Sequence, residues 1–195
     1  MSDIEIYNLG LMQSAESYKL HHLDLGGYGF DPKKITFFQQ AIKSPDEQFV
    51  VVDPRADSVP NYYPSNLHLI QPDMRPGFLF RSPRYSLPFT DCSFTDARMD
   101  MVSSTSKVKH EAVFKEVHRI LRSGGCLDIV DETQYQQKIL RALISSGFEI
   151  TKTCGWEEVM VQRQPLSLAT VNVWDERLLI YDEGKIFWIQ AQKIR

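Results

Sequence analysis

The sequence predicts an α/β fold: a doubly wound, mostly parallel sheet that ends in an antiparallel C-terminal hairpin. Three observations carry this expectation. Short apolar runs alternate with amphipathic helical segments, which is the order of βα units joined by right-handed crossovers. Runs such as Phe49, Val50, Val51 and Val52 are apolar on both faces, as parallel strands covered by helices must be. Beyond Gly147 the alternation stops, and a turn over residues 182–185 containing Gly184 joins two strand-like runs.

Taken in order, the first strand is expected over residues 22–26. Asp31 and Pro32 then supply a helix N-cap and a first-turn proline ahead of Ile35, Phe38 and Ile42 at helical spacing, and Pro45 ends that helix. Further strands are expected over 49–53, 67–70, 99–103 and 126–130. A helix from about 109 to 122 carries Val113, Val117, Ile120 and Leu121 on one stripe, with Arg119 and Arg122 in its last turn and Gly124 and Gly125 beyond. Thr133 with Gln136 reads as a capping box that opens a helix bearing Ile139, Leu140, Leu143 and Ile144, stopped at Gly147. The strand-like runs 148–161, 178–181 and 186–189 follow. Residues 54–88 differ in kind: they hold seven of the ten prolines and read mostly as a Pro- and aromatic-rich insertion.

At 195 residues the chain is expected to form a single domain, residues 1–195. No run approaches the roughly 18 apolar residues of a membrane span, and the acidic N-terminus does not read as a signal peptide, so the expected location is cytoplasmic with no membrane partner. A net charge of −3 provides no global field for nucleic acid. Cys92, Cys126 and Cys154 form no CxxC pair, and His21, His22, His68 and His118 show no ligand spacing with them, so neither a disulfide framework nor a metal site is expected.

The first strand runs into Asp24, Leu25, Gly26, Gly27, Tyr28 and Gly29, ahead of the Asp31 helix start. Glycines there allow a tight turn and close approach to a ligand, and a helix N-terminus favours a carboxylate or phosphate. The plain alternative is an ordinary βα turn. No Gly-Lys-Ser/Thr follows, so a P-loop is unsupported, and Pro32 stands where a dinucleotide fingerprint needs its third glycine. Asp53 ends the second strand, where an acid can accept both hydroxyls of a ribose; Asp53 with Pro54 also suits a simple turn.

Three later segments carry a resemblance to a known family: Leu87, Pro88 and Phe89 through Ser93 and Phe94; Met99 to Ser104; and Glu116 to Gly125, with Glu116, Arg119, Leu121, Gly124 and Gly125 in an E-x-x-R-x-L-x-x-G-G arrangement. They are similar to the class I S-adenosylmethionine (SAM) methyltransferases of the small-molecule type 11 group, which implies a Rossmann-like sheet and SAM as cofactor. Ser146, Gly147 and Phe148 fit as well. By this resemblance Asp24, Gly26, Gly27 and Gly29 line the methionine end of SAM, Asp53 holds the ribose and Asp73 approaches the adenine amino group. His110 is the implied candidate base near the methyl acceptor, although a residue there more often simply begins the helix. Ser103 to Ser106 replace the Asn-Pro-Pro-Tyr element of nucleic-acid amino methylases, which disfavours a nucleic acid and leaves a small-molecule substrate. The chain departs from the family in that Gly26 and Gly27 are adjacent, and residues 95–98 interrupt the passage to the fourth strand. These departures keep open a second reading, a non-catalytic member of the fold that has lost SAM binding and serves a protein partner.

Overall fold

The computed structural model describes residues 20–26, 38–52, 64–70, 87, 89–100, 109–155 and 186–194. In chain order these form β1 (His22–Leu25), α1 (Phe38–Lys43), β2 (Phe49–Val52), β3 (Leu67–Ile70), β4 (Phe94–Asp100), α2 (His110–Ile120), β5 (Leu121–Glu132), a 3-10 turn (Thr133–Tyr135), α3 (Gln136–Ser145), β6 (Phe148–Gly155) and β7 (Ile186–Lys193). The strands make one sheet in the order β3-β2-β1-β4-β5-β7-β6. Strands β1 to β5 pair in parallel, and β7 runs antiparallel between β5 and β6. The expected mostly parallel sheet with an antiparallel end is thus observed. Among the described residues no helix is long and apolar enough to cross a membrane.

Strand side chains alternate between faces, and here the two faces differ in chemistry. Leu23, Leu25, Ala97, Met99, Leu127 and Ile129 share one buried cluster. Against it pack Val113, Phe114 and Val117 of α2 with Ile139 and Leu143 of α3. The spacing of those helix positions, three or four residues apart, is what lays both helices on this face. The intervening strand residues, His22 and Asp24 on β1, Asp96 and Arg98 on β4, Cys126 and Asp128 on β5, therefore point to the opposite face.

Two expected strands are corrected. The fourth was placed at 99–103, but β4 is Phe94–Asp100. Residues 95–98, which the resemblance treats as an interruption, are its centre. Asp96 and Arg98 hide the strand from an apolar-run criterion, while Ala97 and Met99 supply the alternate apolar face. The fifth was placed at 126–130, whereas β5 spans Leu121–Glu132 and takes in Gly124 and Gly125. Gly125 is a close-packing glycine within the strand: a Cβ there would lie 2.8 Å from the Arg122 carbonyl oxygen and 2.9 Å from that of Thr95. Thr133 does not cap α3 but is the first residue of the 3-10 turn, and Tyr135, at the N-cap of α3, makes no side-chain cap. The remaining expectations agree closely: α2 falls within 109–122, and β1, β2 and β3 lie at their predicted places. The proposed N-cap at Asp31 and the run 178–181 lie outside the described residues.

Candidate functional site

From β1 the chain moves outward to β2 and β3, then returns to β4 on the other side of β1. Strand order therefore reverses between β1 and β4. Ligands of open α/β sheets bind outside the carboxyl ends of strands at such a point. Leu25 closes β1 there, paired with Val52 on one side and Met99 on the other.

Gly26 follows directly. Its φ of 82° lies in the left-handed region that glycine adopts without penalty, and its amide donates to the Val52 carbonyl oxygen at 2.9 Å. This bond fastens Gly26, the residue after β1, to Val52, the last residue of β2. Asp24 is fully buried, two residues before Gly26 on the polar face. Gly27, Gly29, Asp53 and Asp73 lie outside the described residues.

Asp24 belongs to a charged row that sequence reading did not single out. Across the sheet the register places Val51, Asp24, Arg98, Asp128 and Gln190 side by side. Arg98 is only 7% exposed. The Asp128 carboxylate accepts hydrogen bonds from Trp188 Nε1 and Gln190 Nε2, each at 3.2 Å. Burial pushes its pKa up to about 6, against the opposing pull of Gln190, the Arg98 charge and Trp188. The signal for this row was present in the sequence as the strict alternation of Asp96, Ala97, Arg98, Met99 and Asp100. One step nearer the amino ends of the strands, His22 Nδ1 meets Asp96 at 2.7 Å and its Nε2 meets Glu47 at 3.1 Å.

His110 is the first residue of α2 and is buried, with its ring 5.9 Å from that of Phe114. Burial, helped by the Lys138 charge, lowers its pKa to about 4. The imidazole is therefore neutral at physiological pH.

The Glu116 and Arg119 pair, which carried part of the resemblance, forms a clamp on the segment preceding β4. Arg119 Nε and Nη2 donate to the two Glu116 carboxylate oxygens at 2.8 and 2.6 Å. Its Nη1 donates to the Phe89 carbonyl oxygen at 2.8 Å and to Asp91 at 2.7 Å, and its Nη2 to the Leu87 carbonyl oxygen at 3.2 Å. Glu116 in turn accepts the Leu87 amide. In this chain the pair thus fixes the segment from Leu87 to Asp91 against α2.

The whole sheet superposes on solved methyltransferases. An antibiotic-related methyltransferase matches with a TM-score of 0.60 at 17% identity, over 95% of this chain and 94% of that one. The chain has the class I SAM-dependent methyltransferase fold. Other structures with this methyltransferase fold include a 16S rRNA adenine methyltransferase from Catenulisporales acidiphilia with SAM (TM-score 0.57, 13% identity, 100% of this chain and 93% of that one). A geranyl diphosphate C-methyltransferase from Streptomyces coelicolor, in complex with S-adenosylhomocysteine (SAH), gives 0.52 at 11% identity over 95% of this chain and 77% of that one. No protein-family model and no curated protein sequence matches the chain.

The described part of the site is chemically suited to the methionine end of SAM. Asp24 brings a carboxylate, opposite in charge to an ammonium, close to the end of β1, and Gly26, with no side chain of its own, stands directly after that strand.

Proposed function

We propose that the chain is a SAM-dependent methyltransferase acting on a small molecule. The observation that carries this reading is the sheet order β3-β2-β1-β4-β5-β7-β6 combined with the left-handed Gly26 at the end of β1, bonded to the end of β2. The order sets the point where the chain's progress across the sheet reverses, and Gly26 stands at that point. In this reading Asp24, Gly26, Gly27 and Gly29 hold the methionine end, Asp53 accepts the ribose hydroxyls and Asp73 faces the adenine amino group.

When bound, SAM supplies an electrophilic methyl carbon on a sulfonium. The protein's own contribution is proximity and alignment, which in well-oriented reactions supply about 7–11 kcal/mol of the barrier. His110 takes part as a neutral imidazole. Burial lowers its pKa to about 4, so in this reading the candidate base meets the acceptor uncharged, able to accept a hydrogen bond and only weakly basic. A small-molecule acceptor is favoured by the resemblance and by a net charge of −3, which gives no general attraction for a polyanion.

Calorimetric titration and thermal-shift assays with SAM and with SAH test the reading. Saturable binding of both is expected. No heat and no shift at millimolar ligand would overturn it, and would favour the non-catalytic, partner-binding reading to which the adjacent Gly26 and Gly27 point.

A further inference from the structure

The buried charged row behind the glycine loop carries an inference that rests on the methyltransferase reading above. We propose that Arg98 is a positioning residue for the cofactor site: its guanidinium is the counter-charge that keeps Asp24 ionised for the methionine ammonium.

Arg98 sits at the register position beside Asp24, one strand over, and both side chains point to the same face of the sheet. Neighbouring strands lie about 4.8 Å apart, well within the reach of an arginine side chain. Asp24 is 0% exposed and Arg98 7% exposed, so each charge is held away from water, where an uncompensated carboxylate takes up a proton instead of remaining ionised. A guanidinium does not titrate in this range, which makes it a permanent counter-charge.

Of the two residues that the register places beside Asp24, Arg98 is the cation. On β2 the register partner of Asp24 is Val51, which is apolar. Two residues earlier on β1, His22 is engaged by Asp96 and Glu47. Beyond Arg98, Asp128 already receives Trp188 and Gln190 as donors, so it draws on the guanidinium mainly through its charge. The arrangement is one arginine between two carboxylates, of which only Asp24 lies two residues from Gly26. A neutral Asp24 would forfeit the charge-assisted hydrogen bond to an ammonium, and a displaced one would move the start of the glycine loop.

The test is SAH titration by calorimetry from about pH 5 to about pH 8, on the wild type, Arg98→Lys, Arg98→Met, and the double variant Arg98→Met with Asp128→Asn. The double variant removes the second buried carboxylate and so keeps the row foldable if Arg98→Met alone is not. The expected result is that Arg98→Lys keeps the wild-type profile. Both Met variants should bind SAH about tenfold or more weakly at neutral pH, with the acid-side midpoint for loss of affinity raised by about one pH unit or more. A Met variant that binds with the wild-type affinity and profile overturns the proposal. So does one whose affinity falls equally at all pH values, since that is a packing defect without a change in Asp24 ionisation. If neither Met variant folds, Arg98→Lys decides: a wild-type profile supports the proposal and a shifted midpoint overturns it. Wild-type protein that binds no SAH removes the methyltransferase reading, and this proposal with it, whereas a bound wild type with an unaffected Arg98→Met removes this proposal alone.

Discussion

Replacing Arg119 with Met should cost about 2–4 kcal/mol of stability without touching the sheet. Arg119 makes five hydrogen bonds: two to Glu116, one to Asp91 and one each to the carbonyl oxygens of Phe89 and Leu87. Not all of them count equally. Asp91 is 74% exposed, and an ion pair to so wet a carboxylate contributes little, about 0–1 kcal/mol. Glu116 decides the magnitude, because its side chain is only 8% exposed and loses its counter-charge. Removing one partner of a fully buried pair costs about 3–5 kcal/mol. Arg119 is itself 31% exposed, so water can partly reach the vacated side, which lowers the estimate to about 2–4 kcal/mol. For a chain of this size that is a fall of about 5–15 °C in Tm, readable by thermal or urea denaturation followed by circular dichroism. The double variant Glu116→Gln with Arg119→Met should recover about 1–2 kcal/mol, because a glutamine needs no counter-charge and can still accept the Leu87 amide. A loss below about 1 kcal/mol for Arg119→Met, or no recovery in the double variant, would refute the clamp as a buried ion pair.

Two further outcomes follow from the same structure. Gly125→Ala should destabilise by about 2 kcal/mol, since the new Cβ would press on the Arg122 and Thr95 carbonyl oxygens at 2.8 and 2.9 Å and the backbone of β4 or β5 must shift; chemical denaturation measures it. The His22 pKa is raised, because the Asp96 hydrogen bond and charge, followed by Glu47, outweigh the opposing effect of burial. The folded protein thus holds this proton to higher pH than the unfolded chain, so the stabilisation is complete below about pH 6.5 and is lost as pH rises through the raised value. His22→Gln should flatten that part of the stability profile, and denaturation midpoints over a pH series that stay as steep as in the wild type would contradict it.

Much of the fold was legible because local and tertiary signals agreed. The α2 stripe of Val113, Val117 and Ile120 has one period and one buried face, and β2 reads as a continuous apolar run because it is buried on both sides. Where the expectation missed, a polar residue served a tertiary partner. Asp96 and Arg98 look like loop chemistry until β1 and β5 supply His22, Asp24 and Asp128 beside them. Gly124 and Gly125 look like a helix stop, yet they lie within β5, where the Arg122 and Thr95 carbonyl oxygens leave no room for a Cβ at Gly125. His110 was legible as a helix start; that its imidazole is neutral follows from burial, which no local pattern encodes.

The sequence by itself determined the βα alternation, the antiparallel end and the position of the glycine turn after β1. Those depend on periodicity and on backbone preferences within a few residues. Only the tertiary structure decided that Asp24, Arg98 and Asp128 form one row, and that Glu116 and Arg119 clamp the Leu87 to Asp91 segment. Cross-strand register and the packing of α2 bring together residues 28 to 74 positions apart, and the energy of a buried charge depends on such neighbours rather than on its own place in the chain.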